Sequence, residues 1–490
     1  MKKILAVILI VFNTAVAQIV MPEVFSDNMV LQQNAEVAVW GKGEPHSKIT
    51  VSCSWLSEKI TTECNDSGDF IVRVKTLNAE REKQYSLSVT DKTSTVEYDD
   101  IVFGEVWLAG GQSNMAFELK KSKDADISDN ENIRFYYAPH NYYEGYKVKE
   151  KGQWIKSGSG MTGRVSAVAY HFAMKLQKDL DVPVGIILCY KGGTPVESWM
   201  SMETLEKCGE HSAVWEFFNK RVPADYESAY QKYLADKKAG GEVKPVEPYG
   251  WRNYKRPTGL YELMLKPLIP YTVKGFIWYQ GEGNAARAKQ YQTLFPALIE
   301  EWRNEFSVPQ APFIFAQLPI YEHPNFKYAA WAELRESQLL TAQTVENTAM
   351  AVILDAGDKN DLHPTDKFPV GQRMALAAEG IAYGKDIVFR SPEISRVTVN
   401  DNRVILYFSI FGSEGLAFAS DCGFEVVLKN GTALSVKAVI LDKDKIEIFC
   451  NFCDDIQQIK QVRYGWANYF EPCLTNKDGL YASPFRINVE

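Results

Sequence analysis

The sequence predicts an α/β core with a β-rich segment on either side, and three observations carry that prediction. Between about residues 104 and 385, short apolar runs alternate with segments of helical period. Residues 18 to about 103 instead show short alternating runs separated by turn residues. That second pattern returns from about 386 to 490.

In the first segment, Glu36–Trp40, Lys48–Ser52 and Tyr85–Val89 alternate apolar and polar residues. Gly41, Gly43, Pro45, Asn65, Asp66 and Gly68 supply the turns, which fits a small β-sandwich. In the middle segment the expected strands are Glu105–Ala109, Gly185–Cys189, Gly275–Tyr279, Phe313–Gln317 and Ala351–Asp355. Ser166–Leu180 places Val168, Phe172 and Leu176 at helical spacing, and Gln290–Phe306 reads as another helix. Such alternation predicts a parallel sheet covered on both faces by helices. A charged insertion at about 205–258 has a loop-like stretch from Lys237 to Pro248 and reads as a surface excursion or a flap over the core. In the last segment, Arg403–Phe408 and Lys445–Phe449 alternate, and Asn430-Gly431 marks a turn.

The 490 residues are 46% hydrophobic and 24% charged, as in ordinary globular proteins, and a net charge of −8 disfavours nucleic acid and anionic membranes as partners. Residues 1–17 read as an export signal. Lys2 and Lys3 precede an apolar run from Ile4 to Phe12, and Ala15-Val16-Ala17 is a small-residue cleavage site that leaves Gln18 first. The run is too short to span a bilayer, so no membrane span is expected after cleavage and the protein is expected in the periplasm or outside the cell. Eight cysteines suit that compartment but are sparse for a disulfide scaffold. Cys53 and Cys64 bracket a short segment and are candidates to staple a hairpin. Cys450 and Cys453 form a lone C-x-x-C without the second pair or histidines of a metal site. No metal or cofactor is expected, and the pattern sets no oligomeric state.

Ligands of an open parallel sheet bind beyond the carboxyl ends of its strands, so the turns after the strands belong together. They are Ser113-Asn114, Lys191 to Pro195, Gln280 to Asn284 and Asp358 to Pro364. One edge would then hold a serine, glycine N–H groups, an asparagine and a histidine flanked by aspartates. Those parts suit acyl transfer. Ser113 needs a base, and His363 can take its proton near neutral pH. An aspartate would orient the imidazole. The N–H of Ser113, that of Gly192 or Gly193, and the Asn284 amide can receive an oxyanion. Gln112, Gln280 and Glu282 share these turns and are candidate substrate contacts. Of the other histidines, His171 sits within the expected helix and reads as structural.

The blocks Gly111-Gln-Ser-Asn-Met115, Trp278-Tyr-Gln-Gly-Glu-Gly-Asn284 and Asp361-Leu-His-Pro364 resemble those of bacterial sialate O-acetylesterases, within the SGNH hydrolase superfamily. Phe25–Gln32, Gly192–Trp199, Gly465–Ala467, Asn476–Gly479 and Ala482–Phe485 extend the resemblance over most of the chain. The resemblance implies a flavodoxin-like three-layer core and removal of acetyl groups from a sugar hydroxyl. It implies Ser113 as nucleophile, His363 as base, and Gly192 or Gly193 with Asn284 in the oxyanion hole. Two departures bear on the site. The superfamily often has an acid three residues before the histidine, where Asn360 stands here, so Asp361 is the expected orienter, with Asp358 or a backbone carbonyl as alternatives. Relatives often have serine where Gly283 precedes Asn284.

The expected partner is therefore an O-acetylated sialic acid. Acetylated xylan or another polysaccharide is the alternative substrate, and a glycan-binding module without turnover is the alternative class. A lipase or protease of the G-x-S-x-G type is disfavoured, because Met115 occupies the last position. A sialate carboxylate calls for a cation, and Arg164, Lys191, Arg287 and Arg373 lie near the motifs.

Overall fold

One long strand, Thr95–Gly111, organises the molecule, and its burial changes along its length. Its first residues alternate between exposed and buried, whereas every residue from Ile101 to Gly111 is buried. Alternation suits a half-solvated antiparallel sheet, and continuous burial suits the middle of a parallel sheet covered on both faces. The pairing agrees. The start of the strand lies antiparallel to Tyr85–Thr90, and its end lies between the parallel strands Val184–Tyr190 and Gly275–Tyr279. The expected segment boundary near 103 thus falls inside a continuous strand. The computed structural model describes residues 18–138, 151–241, 243, 245–322, 330–400, 403–420, 422–449 and 456–489. The expected export signal, Cys450 and Cys453 lie outside these.

The central sheet runs in the order Thr348–Ala351, Phe313–Ala316, Gly275–Tyr279, Thr95–Gly111, Val184–Tyr190, Asn130–Tyr137, Gln153–Ser157. All these pairings are parallel except the last. Helices pack on both faces. Trp107 meets Phe172 of the helix Ala167–Leu180 and Tyr383 of the helix Phe368–Tyr383. On the opposite face, Gly110 lies under Trp302 of the helix Ala288–Glu305, which packs beside Ala330–Thr344. Ser166 caps the helix Ala167–Leu180 by accepting the Ala169 N–H at 3.1 Å.

Three expectations need correction. The last core strand is Thr348–Ala351, and Leu354–Ala356 is a turn of 3-10 helix rather than the end of a strand. The loop-like stretch of the insertion begins at Gly240 rather than Lys237, because the helix Tyr226–Ala239 runs through Lys237–Ala239; the helix His211–Asn219 also lies in the insertion. Cys53 and Cys64 are both free. Lys48 pairs with Glu63 across this hairpin, so Cys64 falls level with Ser47, about 20 Å along the strand from Cys53, whereas a disulfide needs Cα atoms within about 7 Å. Among the described residues, a disulfide joins Cys422 to Cys473, 51 residues apart in sequence.

The N-terminal residues and the central sheet share one buried cluster, from Phe25 and Val39 to Trp107 and Phe315. The C-terminal β-rich part has a core of its own around Leu406, Phe424, Val462 and Tyr464. Buried Arg335 ties the two together, donating to the carbonyls of Leu318 and Pro319 and to those of Ala467 and Asn468. Among the described residues, no helix is long and apolar enough to cross a membrane.

Candidate active site

Ser113 sits on the turn that ends the central strand. That turn needs glycine at 111: φ is +135°, and a Cβ there would stand 2.2 Å from the Tyr279 carbonyl oxygen. The chain then ties itself to the neighbouring strand ends. Gln112 N–H donates to Tyr279 O at 3.0 Å, and Lys191 N–H donates to Gly111 O at 3.0 Å. The turns after three adjacent strands are thereby fixed to one another.

The fourth turn brings the histidine. His363 Nε2 lies 2.8 Å from Ser113 Oγ, within reach for proton transfer. Burial and the Lys367 cation lower the imidazole pKa from its usual value, against the pull of Asp361. A neutral imidazole, able to accept a proton, is therefore favoured at neutral pH. The carboxylates hold the loop rather than the ring. Asp361 Oδ1 accepts the His363 backbone N–H at 2.8 Å. Asp358 Oδ1 accepts the N–H groups of Asn360 and Asp361 at 2.7 and 3.0 Å.

Gly192 faces the serine, since a Cβ on it would stand 3.6 Å from Ser113 Cβ. Gly193 is exposed and turns away toward Lys255. Asn284 is buried and its amide is oriented by its partners. Its oxygen accepts the Val196 N–H and the Gln280 side chain, both at 2.8 Å, and its nitrogen donates to Glu197 at 2.9 Å. One of its two N–H bonds remains for another acceptor. Gly283 has a packing reason, because a Cβ there would stand 2.8 Å from Thr194 O.

The three expected substrate contacts are turned inward. Gln112 Oε1 accepts the Gly283 N–H at 3.1 Å. Gln280 is fully buried and donates to Thr194 O and to Asn284. Glu282 accepts from the Asn114 amide at 2.6 Å. In these positions they brace the turns.

Two side chains that the motif reading did not single out complete the site. Asn114 donates to Glu282 and also to the Leu362 carbonyl at 3.1 Å, and it accepts from buried Lys367 at 2.7 Å. It thus joins the serine turn, the Gly281–Asn284 turn and the histidine loop. Hydrogen bonds to charged groups are worth about 1.5–3 kcal/mol each. Burial pushes the Lys367 ammonium down to about 8 and raises the Glu282 carboxyl, whose Oε2 has no hydrogen-bond partner. Asn114 was visible as part of the serine block, but Lys367 carried no motif signal.

The candidate cations separate as well. Arg287 pairs with buried Glu197, and Arg373 grips Asp355 with both prongs. Lys191 stays beside the Gly192 turn. His171 is buried against Phe368 on the helix Phe368–Tyr383. Among the described residues, no group of three or more His, Cys, Asp or Glu side chains is placed to hold a metal ion.

Comparison with known proteins gives consistent results. The family described as SASA, carbohydrate esterase, sialic acid-specific acetylesterase, matches over residues 249–379. A sialate O-acetylesterase of Rattus norvegicus is 30% identical, covering 95% of this chain and 94% of its own length. One from Mus musculus is 27% identical, covering 93% of this chain and 91% of its own. The crystal structure of a carbohydrate acetylesterase from Xanthomonas citri aligns with a TM-score of 0.80 and 30% identity, over 96% of this chain and 99% of its own.

Proposed function

The chain belongs to the sialate O-acetylesterase family, and from that premise we propose that it releases acetate from O-acetylated sialic acid through an acetyl-serine intermediate. It is a carbohydrate O-acetylesterase, and its core is read as the three-layer SGNH type. The observation that carries the mechanism is the 2.8 Å contact between His363 Nε2 and Ser113 Oγ.

Ser113 Oγ attacks the acetyl carbonyl carbon while its proton passes to His363 Nε2. The carbonyl oxygen becomes an oxyanion, received by the N–H groups of Ser113 and Gly192 and the remaining N–H of Asn284. The intermediate collapses by breaking the bond to the sugar oxygen, which takes the proton from His363. Water then attacks the acetyl carbon with its proton passing to His363, the bond to Ser113 Oγ breaks, Oγ takes that proton back, and acetate leaves. Asp361 acts here through the His363 backbone and through its charge. Since it is exposed, that charge is screened and its contribution is modest.

Residues 1–17 are read as a cleaved export signal, and the Cys422–Cys473 disulfide suits the oxidising compartment this implies. The test of function is acetate release from O-acetylated sialic acid by the mature protein, alongside Ser113→Ala. Release that vanishes in the variant is expected. Serine-dependent hydrolysis of acetylated xylan with none of the sialate would move the substrate assignment, and release that persists in Ser113→Ala would end the mechanism.

A further inference from the structure

Sialic acid differs from neutral acetylated sugars in its carboxylate, so selectivity for it calls for a fixed cation near the nucleophile. Arg287 and Arg373 are paired with carboxylates, and Lys191 directly precedes the Gly192–Gly193 turn. The insertion brings a second lysine to the same turn. Lys255 Nζ lies 3.4 Å from where a Cβ on Gly193 would stand. Gly192 faces Ser113 and Gly193 faces Lys255, so one two-residue turn separates the ammonium from the nucleophile.

The surroundings of Lys255 are ordered from beneath. Buried Asn253 donates to the carbonyls of Glu247 and Pro248 at 3.3 and 3.0 Å and accepts the Lys255 N–H at 2.9 Å. Ser198, directly after Glu197, donates to the Lys255 carbonyl at 2.9 Å. The lysine backbone is thus anchored to the core while its side chain stays half-exposed. Tyr254 closes the corner. Its hydroxyl donates to Gly192 O at 3.4 Å, and the ammonium groups of Lys191 and Lys255 lie 5.0 and 5.9 Å from its ring centre. A cavity of about 280 Å³ opens here, lined among others by Lys237, Glu247, Tyr249, Tyr254 and Lys255. The Glu247 carboxylate, raised by burial, lies within the field of Lys191, Lys237 and Lys255. Among the described residues lining the cavity, Lys237 and Lys255 are the cations and Glu247 is the carboxylate.

We propose that Lys255, with Lys191, forms a cationic subsite across the Gly192–Gly193 turn from Ser113 that holds the carboxylate of an O-acetylated sialic acid during attack on its acetyl group. This rests on the acetylesterase reading and adds how the sugar is selected. Lys255 is then a specificity-determining residue supplied by the insertion, and it reads charge rather than the acetyl ester.

The test is steady-state kinetics of wild type, Lys255→Gln and Lys255→Arg on three esters: O-acetylated sialic acid, its carboxyl methyl ester, and nitrophenyl acetate. Wild type should prefer the acid to its methyl ester. Lys255→Gln should raise KM for the acid roughly 5- to 50-fold more than for the other two, the range expected for losing one charge-assisted contact. Lys255→Arg, which keeps the charge, should retain most of the preference. The subsite is overturned if Lys255→Gln changes all three substrates alike, or if its preference for the acid survives. The acetylesterase reading fails separately, by wild type hydrolysing none of the three, and the subsite falls with it.

Discussion

The two halves of the proposed catalytic pair stand on different ground. Ser113 ends a strand whose last eleven residues, Ile101 to Gly111, are all buried, and its turn is tied by backbone hydrogen bonds to the strands on either side. His363 sits on a loop whose preceding residues, Asp358 to Asp361, are exposed. That loop is shaped by short-range bonds from Asp358 and Asp361, and it is moored inward where Asn114 donates to Leu362 and Ser122 donates to Thr365. The nucleophile is therefore placed by long-range packing within the sheet, whereas the base is placed by local turns with a few long-range hydrogen bonds and is tuned by charge. Changes on the serine side should act on geometry and rate, and changes on the histidine side should act mainly on pH dependence.

The sharpest test of that contrast is Ser113→Ala, expected to lower kcat by roughly 10⁴ to 10⁶ with no change in Tm. A residual rate near wild type would remove Ser113 from the chemistry. Next comes Asn284→Ala. Losing one oxyanion donor should lower kcat by roughly 10² to 10³ with little change in KM, and an effect confined to stability would reduce Asn284 to a brace. On the histidine side, Lys367→Met should act through pH. His363 must be neutral to accept a proton, and the nearby cation helps keep it so. Removing that cation raises the imidazole pKa, so the acidic limb of kcat/KM should move to higher pH, with loss below neutrality and little loss above it. A limb that stays in place would show that Lys367 serves only to hold Asn114. The smallest effect belongs to Asp361→Asn, which keeps an acceptor for the His363 N–H. A fall of roughly 2- to 10-fold is expected, and a loss near 10⁴ would instead reveal a full triad.

What the sequence disclosed follows the same division. Ser113, the Gly192-Gly193 pair and Asn284 were legible as neighbouring turns because each follows an apolar run whose end fixes its position, while which glycine faces Ser113 was not. The acid was not. Asp358 and Asp361 are both near His363 in sequence, and only the turn geometry shows that they bind backbone N–H groups. Gln112, Gln280 and Glu282 looked available because they share the turns, but the way the turns close on one another buries them. Lys367 and Lys255 gave no signal, since nothing in a sequence marks a lysine that folds back on Asn114, 253 positions earlier, or on Gly193, 62 positions earlier. The strand Asn130–Tyr137, paired on both sides, and the edge strand Gln153–Ser157 were also missed, because their polar residues break the apolar run. The apolar Ile353-Leu354 misled in the other direction, extending an expected strand into what is a 3-10 turn.

The strand Thr95–Gly111 has a further consequence, for heredity rather than chemistry. A recombination event that exchanged the N-terminal β segment for another would have to cut within that strand, and the new half would need the same register beside Val30–Gln32 and Tyr85–Thr90 to leave Ser113 where it is. The C-terminal β part has its own core and its own disulfide, so an exchange there cuts no strand and needs only to restore contacts such as the Ala467 and Asn468 carbonyls that Arg335 binds. Among distant descendants of this architecture, the N-terminal segment should be inherited with the nucleophile, while the C-terminal one is more readily traded.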